Sequence, residues 1–197
     1  MRRAQHAKRL RRHYAPLLEE HGTSFRAVDW GSAQGQALRF RMLLDVGDWR
    51  QASILDVGCG VGHLAGHLAV RKAKGRYLGI DMLPEMIERA RARYPRRHFA
   101  VGDILDSGVS WKADYVLSSG SFTFTDAALM KRSIAAMFAA CRRGVAFNAL
   151  SAWSKRRQTD EFHADPLTTL AFCRRLTPKL VLRHDYLPHD FTVYLYR

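Results

Sequence analysis

Two spacings of apolar residues divide the chain. Near the N-terminus the period is helical: Ala7, Leu10, Tyr14 and Leu17 recur with Arg and Lys between them, which predicts an amphipathic helix. GTSFRAVDWGS, from Gly22 to Ser32, reads as a turn-rich loop. A second helix is expected from about Gln34 to Val46, with Leu38, Met42 and Val46 on one face.

From residue 53 onward, short apolar runs alternate with helical patterns. SILDVG, RYLGID, HFAVGDI, ADYVLSSGSF and GVAFNALS read as strands. GHLAGHLAVRK, PEMIERARARY and a stretch from about Ala127 to Ala140 read as the helices between them, the second opened by Pro84 in its first turn. After an irregular stretch come one more helix, PLTTLAFCRRL, and two strands, KLVLRHDYL and FTVYLYR. Alternating strands and helices build right-handed crossovers and a parallel sheet. The join at Pro188, His189 and Asp190 is too short for a crossover, so the last two strands must form an antiparallel hairpin. The expected fold is α/β: a mostly parallel sheet of five strands with a C-terminal antiparallel hairpin and helices on both faces.

The chain of 197 residues fits one compact domain, divided into a helical segment over 1–48 and a sheet domain over 49–197. Composition adds little: 47% hydrophobic and 25% charged is an ordinary globular balance. The three cysteines, Cys59, Cys141 and Cys173, are scattered, without metal-like spacing, and point to a reducing, cytoplasmic setting. No apolar run approaches the roughly 20 residues that span a bilayer. The basic N-terminus lacks the apolar core of a secretory signal. A net charge of +14 attracts anions, nucleic acid among them, but pairs such as Arg11-Arg12, Arg96-Arg97 and Arg142-Arg143 fall on different elements rather than along one stripe.

The chemistry concentrates in ILDVGCGVGHLAGHL, residues 54–68, where Gly58, Gly60 and Gly62 stand between a strand and a helix. A glycine-rich turn there lets a nucleotide approach the backbone. Gly60, Gly62 and Ala65 fit the dinucleotide pattern, which would place a pyrophosphate on the helix N-terminus. Asp56 opposes that fit, because its carboxylate repels a pyrophosphate and attracts an ammonium or a sulfonium. Asp103, ending the third strand, can accept from a purine amino group.

At these residues the chain resembles the class I S-adenosylmethionine (SAM) dependent methyltransferases, small single-domain members above all. DVGCGVG (Asp56 to Gly62) is similar to their first motif, GIDMLPEMIERAR to their second-strand motif and VGDI to their adenine-site motif. The resemblance spans most of the chain, and the terminal hairpin is the family's usual ending. It implies a Rossmann-like fold with SAM as methyl donor. Asp81 would bind the ribose hydroxyls, and Asp103 and the backbone of Ile104 the adenine. Asp56 and the loop of Gly58, Cys59 and Gly60 would face the methionine end. Met82 is expected on the adenine face and Ser119 at the end of the fourth strand. Cys59 reads as a small loop residue, with no base placed to make it a nucleophile. In relatives the N-terminal segment covers the donor; Arg39 is the candidate partner for the SAM carboxylate.

The acceptor is expected over the ends of the fourth and fifth strands, where Asn148, Trp153 and His163 also fall. The chain reads SSGSF where nucleic-acid amino-methyltransferases carry N/D-P-P-Y, which disfavours a base amine but leaves other RNA positions open. A small-molecule acceptor is the leading expectation. The competing chemistry resembles that of the azetidine-2-carboxylate synthases, in which SAM cyclises and expels methylthioadenosine. Tyr14, Asn148 and Tyr186 are candidates for that site, with Tyr186 facing the sulfonium through its ring. His184 or His189 is a candidate general base. A binding protein without catalysis is disfavoured, since Gly58, Gly60, Asp81 and Asp103 are all present.

Overall fold

The computed structural model describes residues 3–197; the first two residues of the expected N-terminal segment lie outside the described residues. Helix α1 (Arg3–His21) and helix α2 (Ala33–Leu44) precede the sheet. There follow β1 (Ile54–Val57), α3 (His63–Val70), β2 (Tyr77–Asp81), α4 (Pro84–Arg93), β3 (His98–Val101), β4 (Ala113–Ser118) and α5 (Ala127–Ala140). The chain ends with β5 (Cys141–Leu150), α6 (Pro166–Arg174), β6 (Leu180–Leu187) and β7 (Asp190–Tyr196). Each expected strand and helix is present.

The seven strands form one sheet in the order β3-β2-β1-β4-β5-β7-β6. β1 to β5 pair in parallel, and β7 pairs antiparallel with both β5 and β6. The order reverses between β1 and β4, and a ligand crevice opens at such a point, beyond the carboxyl ends of the strands. Alternate strand residues feed two cores. On one face Leu55, Val116, Val145 and Phe147 pack with Met130, Ile134 and Met137 of α5 and Cys173 of α6. On the other, Ile54, Tyr77, Tyr115 and Leu117 pack with residues of α2, α3 and α4.

The two N-terminal helices bury different faces from those the apolar spacing marks. In α2 the buried residues are Gln36, Arg39, Phe40, Leu43 and Leu44, and Val46 lies past its end. Leu38 and Met42 are only partly covered. Two polar residues on the buried face conceal it from a pattern of apolar positions. In α1, His6 and Leu18 are buried and Leu10 and Tyr14 partly so, a line spaced by four that replaces the expected Ala7 and Leu17. Leu18 joins Ala27, Val61, Leu83 and Met86 in a third cluster, which seats α1 on the glycine loop and the start of α4. No described helix is long and apolar enough to cross a membrane.

Ile134 is fully buried at the centre of the α5 face. Ile134→Ala is expected to cost about 2–5 kcal/mol, the range for a core truncation that leaves a cavity. Urea unfolding of the two proteins measures it; a loss under about 1 kcal/mol would mean that α5 collapses onto the space.

Candidate active site

The crevice at the strand ends is a cleft of about 1310 Å³. Its floor is the turn after β1. Gly58 and Gly60 take φ of +72° and +52°, the left-handed region that glycine occupies without strain. Side chains are excluded there for a second reason: a Cβ on Gly58 would stand 2.7 Å from that of Ser121, and one on Gly60 would stand 3.0 Å from Val28.

Asp81 ends β2 beside this turn. One carboxylate oxygen accepts from the Gly60 amide at 2.9 Å, and the other accepts from the Leu83 amide at 3.0 Å. Burial raises its pKa against the pull of those amides. Asp56 is buried on β1 and accepts from the Tyr77 hydroxyl at 2.7 Å. Burial, with Asp81 nearby, pushes the Asp56 carboxyl up to about 7 even so. Two carboxyls held in this state are poised for a cationic ligand.

Asp56, Gly58, Cys59, Gly60, Asp81, Met82, Asp103, Ile104 and Ser119 all line the cleft. Arg39 and Tyr14 line it too. Arg39 arrives already paired: its Nε donates to Asp190 Oδ2 at 2.8 Å, and its guanidinium lies 4.6 Å from the centre of the Trp30 ring. Burial holds Asp190 up at about 6 despite that partner. Tyr14 meets Phe124 edge to face, and burial together with Asp29, Asp81 and Glu161 raises its phenol far above the usual range.

Three expected catalytic residues do not line the cleft. Asn148 is fully buried beneath it. Its Oδ1 accepts from the Ser119 hydroxyl at 3.1 Å and the Gly120 amide at 3.2 Å, while its Nδ2 donates to the Arg39 carbonyl at 3.4 Å. Asn148 thus holds the loop after β4 against α2. The Tyr186 hydroxyl is spent on Asp190 at 2.5 Å and Thr192 at 2.7 Å, and its ring does not line the cleft. His184 is stacked between Trp153 and Phe191, and its Nε2 meets the Ser151 hydroxyl at 2.7 Å. The register of β6 against β7 shifts between Arg183 and Leu187, the stretch that carries both His184 and Tyr186. His189 does line the cleft.

The structure adds His63, Lys155 and Glu161, which the sequence did not single out, beside the expected Trp153 and His163. Gln36 meets His63 Nδ1 at 3.3 Å, and His63 Nε2 donates to the Thr23 carbonyl at 3.0 Å. Burial and Arg93 keep that histidine neutral, with a pKa of about 4. Across the cleft the loop after β5 contributes Trp153, Lys155, Arg156, Arg157, Glu161 and His163. α1 bridges the opening: Arg9 donates to the carbonyls of Phe124 and Asp160. A polar residue inside an amphipathic helix gives no pattern that marks it as a bridge.

A doubly wound sheet, a left-handed glycine turn and a strand-end acid bonded to that turn define a Rossmann-like nucleotide-binding protein. Comparison with known proteins makes the assignment specific. Residues 54–144 match a family model described as a methyltransferase domain. Rv1506c of Mycobacterium tuberculosis, named as a methyltransferase, is 34% identical over 151 residues, covering 72% of this chain and 90% of its own. The magnesium protoporphyrin IX methyltransferase of Synechocystis PCC 6803, solved with S-adenosylhomocysteine (SAH), superposes with a TM-score of 0.71 at 14% identity, over 99% of this chain and 97% of that one. A TehB-like SAM-dependent methyltransferase from Corynebacterium glutamicum gives 0.62 at 20% identity, over 98% and 100%. The chain belongs to the class I SAM-dependent methyltransferases, and SAM is its methyl donor.

The raised carboxyl of Asp56 leaves a mark on stability. An aspartate in the unfolded chain ionises near pH 4 (about 3.9), so Asp56 favours the folded state while protonated. That contribution is complete below about pH 4 and is lost as the pH climbs through 7. Between pH 5 and 8 the free protein should lose about 2.7 kcal/mol that Asp56→Asn does not lose, at about 1.36 kcal/mol per pH unit up to about pH 7. Urea unfolding of both proteins at the two pH values measures the difference; equal declines would clear Asp56.

Proposed function

We propose that the protein transfers the methyl group of SAM to a separate small molecule bound beside it in the same cleft. The size and two-sided lining of the cleft carry this reading. At about 1310 Å³ it exceeds the roughly 300–1,000 Å³ that a single small ligand usually occupies. Glycine-loop and strand-end acid groups line one side, and the loop after β5 lines the other.

The residues present fit the donor. Each Asp81 oxygen keeps lone pairs beyond its amide partner, so the carboxylate can accept from both hydroxyls of a ribose diol. Asp103 and the Ile104 backbone serve the adenine, with Met82 against its face. Asp56 serves the methionine ammonium. Arg39, fixed through Nε by Asp190, offers its remaining N–H groups to the methionine carboxylate. The open face of Gly58 and Gly60 leaves room for the chain between these ends. When bound, SAM supplies a methyl group on a sulfonium, and the protein's task is to aim the acceptor along the carbon–sulfur axis. The segment over 1–48 acts as the cover, since α1 reaches from the start of α4 to the loops after β4 and β5.

Asp81→Ala should weaken SAH binding about tenfold to a hundredfold, the worth of one or two hydrogen bonds to a charged acceptor. Isothermal titration measures it; unchanged affinity would remove Asp81 from the ribose. Affinity of the intact protein should also fall as the pH drops below about 7, where Asp56 takes up the proton that the ammonium must displace. SAM incubated with the pure protein alone should remain intact by mass spectrometry. Accumulation of methylthioadenosine with an azetidine acid would replace methyl transfer by cyclisation.

A further inference from the structure

We infer that His6, on the covering helix α1, is a donor-binding residue whose ring donates a hydrogen bond to N7 of the SAM purine. The inference rests on the placement of the adenine at Asp103. A buried polar atom without a partner is rare in a folded protein and asks for a ligand. Among the described residues three enclosed side-chain atoms have none: His6 Nε2, His67 Nε2 and Glu85 Oε2. Of these three residues His6 alone lines the cleft, and it is 8% exposed.

The helix sets where that nitrogen stands. His6, Leu10 and Tyr14 are spaced by four, so they form one line along α1, and all three line the cleft. From His6 to Tyr14 the helix advances about 12 Å, the scale of a nucleoside. The two ends of the line have different neighbours. The charges acting on Tyr14 are those of Asp29, Asp81 and Glu161. Those acting on His6 include Asp103, Arg9 and Asp126, with Asp103 the strongest of them. Asp81 ends β2, and Asp103 follows β3, the strand paired in parallel beside it. α1 therefore runs along the strand ends with Tyr14 near the ribose acid and His6 near the adenine acid. The line is held on both sides of His6 and Tyr14: Arg9 donates to the carbonyls of Phe124 and Asp160, and Leu18 packs on Val61, Leu83 and Met86.

The chemistry of the purine selects the atom. Its amine at C6 stands between N1 and N7. With Asp103 accepting from the amine and the Ile104 amide donating to N1, N7 is the acceptor left beside Asp103. Burial lowers the His6 pKa; Asp103 and Asp126 pull it up, and Arg9 pulls it down. The ring is therefore neutral and carries one hydrogen. N7 only accepts, so that hydrogen is on Nε2, and Nδ1 is bare. Leu10 offers the donor apolar surface alone, whereas His6 reads the base. The contact satisfies a nitrogen that the protein itself leaves without a partner.

The test is isothermal titration of the intact protein with SAH and with its 7-deaza analogue, in which a C–H replaces N7. The unaltered protein should bind the analogue about fivefold to thirtyfold more weakly, the worth of one buried hydrogen bond. In His6→Phe the two ligands should bind within about twofold of each other, and His6→Gln, which keeps an N–H, should retain part of the preference. Leu10→Ala should weaken both ligands and leave their ratio unchanged; loss of the preference there would assign it to packing of α1 and overturn the contact. A second readout is the imidazole nitrogen shifts of the SAH complex at pH 8, with the His6 signals identified by their loss in His6→Phe. They should show Nε2 protonated and Nδ1 bare. Equal binding of the two ligands by the unaltered protein, an undiminished preference in His6→Phe, or the opposite tautomer overturns the His6 contact and leaves the adenine at Asp103. Asp103→Ala separates the two readings: it should weaken SAH about tenfold, and unchanged affinity would remove the adenine from Asp103 and His6 with it.

Discussion

The cleft depends on one carboxylate. Asp81 accepts from the Gly60 amide with one oxygen and from the Leu83 amide with the other, and so joins the turn after β1 to the entry of α4. Val61, in that turn, and Leu83 and Met86, at that entry, are the surface on which α1 rests through Leu18. The same side chain therefore fixes the floor of the cleft and the seat of its cover. A buried carboxylate without those two amides would carry its desolvation uncompensated. The glycines make the arrangement possible, because an amide can reach a neighbouring strand's acid only where no side chain stands between.

Charge is sorted by depth. Asp56, Asp81 and Asp190 lie inside, where burial raises their carboxyls, and Asp190 has the Arg39 guanidinium against it. Lys155, Arg156 and Arg157 lie at the opening, in contact with water. The interior asks for a cation and the rim for an anion. The +14 net charge of the chain conceals this, since the few acids count for most where solvent does not screen them.

The strands were legible because their patterns are strong: short apolar runs stopped by glycine, aspartate or serine, with helices of clear period between. Asp56, Gly58, Gly60 and Asp81 could be placed together because all four sit at strand ends, where topology alone brings them to one edge. Asn148, Tyr186 and His184 could not be placed, because their orientation depends on register. Tyr186 and His184 are engaged by Asp190, Thr192, Ser151 and Trp153, contacts that no spacing along the chain shows, and Asn148 lies deeper than a strand-end count suggests. The face of α2 was misread because Gln36 and Arg39 are buried for their hydrogen bonds, which hydropathy does not see. His163 was expected beyond the fifth strand, but Glu161 was not, since it stands in an irregular stretch tied to the loop after β4 and the end of β5.

Helix α2 is fastened to β7. Arg39 bonds to Asp190, and the Tyr194 hydroxyl donates to the Met42 carbonyl at 2.5 Å, contacts that join residues 151 and 152 positions apart. Synthesis runs from the N-terminus, so α2 emerges long before its partner exists. Until β7 has been made, α2 has no such strand to dock against, and Arg39 lacks Asp190. The donor cleft is thus closed only after β7 has been made, although α2 precedes it in the chain by nearly the whole sheet.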